Sequence, residues 1–180
     1  MPRVDEANVL LVISGLPGVG KTAAAAAVAK RTASVHLSID TIEEALLESG
    51  LPPGWTVGVA AYEAARAMAQ TNLMAGSSVV VDAVNDSDEA RRTWRRAAGR
   101  CEVPLRFVHL ICSDVSEHRV RLQGRTRGFQ RIGEPSWADV IARAADFVPW
   151  SASDEVSEVD TAGVTLATVV EAVLAARDGS

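Results

Sequence analysis

Gly15-Leu16-Pro17-Gly18-Val19-Gly20-Lys21-Thr22 is the stretch whose reading decides the fold. It completes a Gly-x-x-x-x-Gly-Lys-Thr pattern. The apolar run Val9-Leu10-Leu11-Val12-Ile13 leads into it, and five consecutive alanines from Ala23 to Ala27 follow. An apolar strand entering and a helix leaving is the setting that gives this Walker A pattern its meaning. The residues from Gly15 to Gly20 let the backbone curl so that successive N–H groups face phosphate oxygens, and the helix N-terminus adds positive partial charge. Lys21 then bridges the β and γ phosphates, and the Thr22 hydroxyl becomes a ligand for Mg²⁺. The motif specifies a nucleotide and leaves the reaction open.

Outward from the loop, short β-branched runs alternate with alanine-rich amphipathic stretches, the rhythm of β-α units and a parallel sheet. The runs fall at 9–14, 34–39, 78–82, 105–112 and 156–160. Helical stretches fall near 21–32, 41–49, 59–75, 86–100, 115–124, 137–147 and 165–177. Two irregular stretches break the rhythm. Gly50-Leu51-Pro52-Pro53-Gly54-Trp55 is turn-rich because proline and glycine do not continue a helix, and 124–135 is rich in arginine and glycine. In open α/β sheets ligands sit outside the carboxyl ends of the strands, an edge both loops can reach.

With 180 residues and no linker or repeat, the chain reads as a single domain over 1–180. The net charge of −5 speaks against the basic footprint of a nucleic-acid binder. No apolar run reaches the ~18 residues of a membrane span. Met1-Pro2-Arg3-Val4-Asp5-Glu6 is polar and unlike a signal peptide, so a cytoplasmic location is expected. Cys101 and Cys112 form no Cys-x-x-Cys pair and read as small buried hydrophobes. A guanine-recognition Asn-Lys-x-Asp motif is missing, since Lys21 and Lys30 are the only lysines. Small phosphotransferases remain favoured.

With the Walker A motif, the strand-end aspartates and the arginine-rich stretch in place, the sequence resembles the P-loop kinase group. The likeness, from about 8 to 177, is to kinase-like ATPases related to chloramphenicol phosphotransferase, zeta toxins and polynucleotide kinase domains. It implies an α/β P-loop NTPase fold, a five-stranded parallel sheet flanked by helices, with a mobile Arg-rich lid at about 124–135. Asp40, after Leu37-Ser38-Ile39, matches the aspartate that takes the proton of the substrate hydroxyl in such kinases. The alternative is a helix N-cap. Asp82 ends Val79-Val80-Val81 as a Walker B-like acid, serving the Mg²⁺ shell, the substrate or a cap. Asn85 follows as a short match or a turn residue.

By the same likeness, Arg125 and Arg127 are lid arginines that clamp the transferring phosphoryl group, with Arg131 next as a nucleotide-binding residue. A planar guanidinium suits the task because it grips phosphate oxygens in pairs. Arg119 and Arg121 read as solvated helix residues, with stacking of one of them on adenine as the alternative. Thr161-Ala162-Gly163 is either an ordinary turn or, by the same likeness, the loop that related kinases pass over adenine. One position departs from the pattern: many relatives carry a substrate-contacting arginine three residues after the aspartate, and here Glu43 stands there. Either Glu43 simply faces water, or it looks with Asp40 into the acceptor site, where a second carboxylate would repel a phosphorylated acceptor and favour a neutral or amine-bearing one. Trp55 is a candidate wall of that acceptor site, while His36, His109 and His118 show no metal-ligand spacing. The expected function is an ATP- and Mg²⁺-dependent phosphotransferase acting on a hydroxyl of an unidentified small molecule, possible acceptors including an antibiotic. The alternatives are a kinase of nucleotides or nucleic-acid ends and an ATP-hydrolysing binding switch.

Overall fold

A computed structural model of the chain describes residues 8–179. The polar stretch from Met1 to Glu6 lies outside them. Five strands form one parallel sheet: β1 (Leu10–Ser14), β2 (Val35–Ser38), β3 (Val79–Asp82), β4 (Leu105–Ile111) and β5 (Val156–Asp160). Their order is β2-β3-β1-β4-β5. β1 is therefore central, and all five of its residues are buried, as a strand covered on both faces requires.

Alternation along β1 splits the core in two. Leu10 and Val12 face one layer, built with Leu37, Phe107 and Trp94; Leu11 and Ile13 face the other, built with Val28, Val108 and Val173. The second layer is covered by α1 (Lys21–Thr32) and α7 (Leu166–Asp178). The first is covered by α3 (Trp55–Met74) and α4 (Asp88–Cys101). On α3, Ala61, Ala65 and Ala69 recur every fourth residue and are wholly buried, a small-residue stripe that lets the helix lie close. The remaining helices are α5 (Val115–Gly124), α6 (Trp137–Ala145) and α2 (Ile39–Glu48), the last packed on α3. Among the described residues no helix is long and apolar enough to cross a membrane.

Local chemistry sets the helix starts. Ser87, Asp114 and Thr165 each accept a backbone N–H three residues on, and Ser136 with Asp139 completes a capping box. The sequence pattern places two starts differently. It extends the second strand to Ile39, but the chain turns helical there, so Asp40 stands in the first turn of α2 and Ser38 occupies the N-cap. It also leaves Trp55 in a loop, whereas α3 begins at that residue, directly after Gly54.

Candidate active site

The phosphate loop crosses from β1 to α1 at the centre of the sheet, where flanking strands run to opposite sides. Gly15 has φ +143°, and a Cβ there would stand 2.3 Å from the Leu110 carbonyl oxygen. Only glycine lets the loop pass so close to β4. Gly18 and Gly20 also have positive φ, and Gly20 is the N-cap of α1. The Lys21 ammonium donates to the Leu16 carbonyl at 3.0 Å. Burial pushes its pKa down to about 8, against the opposing pull of Asp40 and Asp82.

Beside it the Thr22 hydroxyl donates to Asp82 Oδ1 at 2.8 Å. Asp82 is only 3% exposed, and its other oxygen lies 2.6 Å from His36 Nε2. Sequence reading gave His36 no chemistry, because a contact between neighbouring strands leaves no local signature. The Thr22 and Asp82 oxygens form a hard-donor pair next to the phosphate loop, which fits Mg²⁺. Among the described residues no group of three or more His, Cys, Asp or Glu could hold a metal.

On the facing wall, Asp40 accepts from Arg127 Nη1 at 2.5 Å. Glu43, one turn on, lines the same cleft as Asp40. Burial, and then the neighbouring Asp40 charge, raise its carboxyl above the ordinary range. Glu44 points elsewhere. It is buried and accepts the backbone N–H groups of Gln130, Arg131 and Ile132 at 2.6, 2.9 and 2.8 Å. Burial alone would raise its carboxyl, but the three amides outweigh that and hold it low.

Over the cleft, Glu134 accepts from Arg125 Nε at 2.7 Å with one oxygen and from Arg127 Nε at 2.8 Å with the other. Asp40, Arg127, Glu134 and Arg125 thus form an alternating chain of charges. Arg131 differs from its expected place at the nucleotide: its backbone is bonded to Glu44, its side chain is exposed, and it is not part of the cleft wall. Arg121 differs in the opposite sense. Rather than being solvated, it lines the cleft and donates to Thr161 Oγ1 at 2.9 Å and to the Thr161 carbonyl at 2.7 Å. Glu117 joins Arg121 at 2.5 Å and accepts the Gly163 N–H at 2.9 Å, fastening the loop after β5 to α5. Arg119 is exposed, as expected of a solvated helix residue.

The cleft between these walls measures about 460 Å³ and extends to Asp139 and Arg143 on α6, which the sequence pattern did not single out. Trp55 is 82% exposed and takes no part in it. Asn85 is buried behind the loop in a left-handed conformation, φ 55°, donating to Ser14 Oγ and accepting from Trp94 Nε1, each at 2.8 Å. Cys101 and Cys112 are free thiols, half-buried rather than buried.

A family model described as "AAA domain" matches residues 10–146. No curated protein matches the chain. Solved structures are similar over nearly its whole length. A sugar kinase from Janibacter sp. HTCC2649 shares 18% identity at a TM-score of 0.69, covering 96% of this chain and 95% of that one. A gluconokinase from Sinorhizobium meliloti 1021 shares 21% identity at a TM-score of 0.68, covering 97% and 94%. The Mycobacterium tuberculosis APS kinase CysC in complex with AMPPNP and APS shares 15% identity at a TM-score of 0.67, covering 94% and 97%. At these identities the likeness is one of fold.

Proposed function

From the premise that the chain belongs to the AAA domain family of P-loop kinase-like proteins, we propose that it transfers the γ-phosphoryl group of ATP to a hydroxyl of a small molecule. The observation that carries this is the placement of Lys21, Asp40, Arg125 and Arg127 on one cleft. A phosphate loop alone would support nucleotide binding. A carboxylate across from it, with two arginines between, adds the parts that transfer requires.

In this reading the residues from Gly15 to Gly20 hold the phosphates through backbone N–H groups, and Lys21 adds charge at the β/γ bridge. Thr22 and Asp82 would hold Mg²⁺, which when bound neutralises charge on the phosphate oxygens. The acceptor hydroxyl oxygen bonds to the γ-phosphorus as the β–γ bridging bond breaks and ADP leaves, and Asp40 takes the hydroxyl proton. Arg127 holds Asp40 in the free protein, so it must exchange that carboxylate for the transferring phosphoryl group. Arg125 does the same by leaving Glu134. Arg121, which lines the cleft and is held by Thr161, is the residue suited to meet the nucleoside. The acceptor end carries Asp40 and Glu43 with Arg143, a mixture suited to a hydroxyl-rich, neutral or amine-bearing molecule.

A transfer screen tests this. ATP labelled in the γ-phosphate is offered with Mg²⁺ to sugars, polyols, nucleosides and hydroxyl-bearing antibiotics. Label is expected in one acceptor class and lost in Asp40→Asn. Release of ADP and phosphate at a rate that no acceptor changes, with no labelled product, would overturn the assignment in favour of a binding switch.

A further inference from the structure

We infer that His118 is a positioning residue of the phosphate loop, fixing one peptide so that its N–H serves the nucleotide. This rests on the reading of the loop as a nucleotide site. His118 lies in α5, is 6% exposed, and its Nε2 stands 2.8 Å from the Pro17 carbonyl oxygen. A carbonyl oxygen only accepts, so Nε2 carries the proton and donates.

The consequence follows from peptide geometry. There are no cis peptides among the described residues, and across a trans peptide the C=O and N–H point in opposite directions. With the Pro17 carbonyl held by His118, the Gly18 N–H points away from that ring, and Pro17 and Gly18 both line the cleft. Were the peptide to rotate, a carbonyl oxygen would face the phosphates in place of a donor. A Pro-Gly pair invites that rotation, because glycine tolerates both signs of φ. Something must choose between the two orientations, and the imidazole does.

Packing reinforces the choice. Gly18 has φ +93°, and a Cβ there would stand 3.2 Å from His118 Cδ2 and 3.2 Å from Leu122 Cβ. The loop therefore rests directly on the buried His118–Leu122 ridge of α5. On its other side the His118 ring meets the edge of Trp137, centroids 5.1 Å apart at 88°. Trp137 opens α6, which carries Asp139 and Arg143 to the cleft. The histidine thus touches both the phosphate loop and the first residue of the helix that carries Asp139 and Arg143.

The test compares His118→Phe, which keeps an aromatic ring but donates nothing, with His118→Gln, whose amide can still donate to Pro17. ADP and ATP affinities are measured by calorimetry with Mg²⁺, and amide exchange of residues 15–20 is followed without nucleotide. His118→Phe is expected to weaken ADP and ATP equally, by about tenfold, the effect of one lost hydrogen bond. Exchange in the loop should quicken. His118→Gln is expected to stay within about threefold of the native chain. ADP binding by His118→Phe at native affinity, or a loss in His118→Gln as large as in His118→Phe, would overturn the inference. Absence of ADP binding by the native chain would overturn the nucleotide reading itself. Should His118→Phe fail to fold, His118→Leu takes its place against His118→Gln with the same criteria.

Discussion

Lys21 makes nucleotide affinity a function of pH, with a sign opposite to that of ordinary phosphate titration. Its pKa in the free protein is about 8, lowered chiefly by burial. The ammonium is charged below that value and neutral above it, and only the charged form complements the phosphates. Binding above pH 8 must therefore draw a proton from solvent. If nucleotide holds the ammonium fully charged, the apparent association constant scales with the protonated fraction of the free site. That fraction falls about tenfold between about pH 7 and about pH 9, so affinity should fall about tenfold as well. ADP titrations by calorimetry across this range, repeated in buffers of different ionisation heat, measure both the affinity and the proton taken up. Lys21→Arg provides the control, since a guanidinium stays charged throughout and should give a flat profile. A native profile that is itself flat, or a Lys21→Arg profile of equal slope, would refute the reasoning.

Three further outcomes are expected. Asp40→Asn should lose about 10²–10⁴ in turnover with a verified acceptor while ADP affinity stays within about threefold, as measured by steady-state rates and calorimetry. Glu134→Gln frees Arg125 and Arg127 from a shared carboxylate, so affinity for ATP should rise about two- to fivefold while that for ADP stays unchanged, there being no γ-phosphate for the arginines to meet. Arg91 is 1% exposed, lies 3.9 Å from the Trp150 ring centroid, and donates to the carbonyls of Asn85, Val148 and Pro149. Arg91→Met should therefore leave three acceptors unpaired, cost about 2–4 kcal/mol, and lower the melting temperature by roughly 5–12 °C in a thermal scan.

What the sequence made legible was local in the chain. The phosphate loop, its strand and its helix are consecutive, so motif and context verify one another within about 25 residues. The sheet followed from continuous apolar runs such as Val79-Val80-Val81, which only a doubly covered strand needs. The elements that escaped depend on pairings across the fold. Glu44 and Gln130 are 86 residues apart, and nothing near either position marks it as a partner. Asp40, Glu43 and Glu44 all sit on one short helix, and their spacing alone does not separate the two that line the cleft from the one that holds a loop. Arg125 and Arg127 could be singled out as an arginine cluster. That Glu134 occupies both could not, because the pairing depends on how the segment folds back on itself.

The three amides on Glu44 have a mechanical meaning. Pinned at residues 130–132 and joined to the end of α5 at Gly124, the chain carrying Arg125 and Arg127 is a span of only five residues, 125–129, fixed at both ends. It has no free tip to swing. In the proposed transfer, its arginines would change partners by a short lateral stroke of the middle of the span, not by the sweep of a flap through solvent. Such a stroke displaces little water, so added viscogen should leave the partner exchange almost untouched. Glu44, which pins the far end of the span, belongs to the same helix as Asp40, so one helix fixes both the anchor of the span and the carboxylate that Arg127 meets.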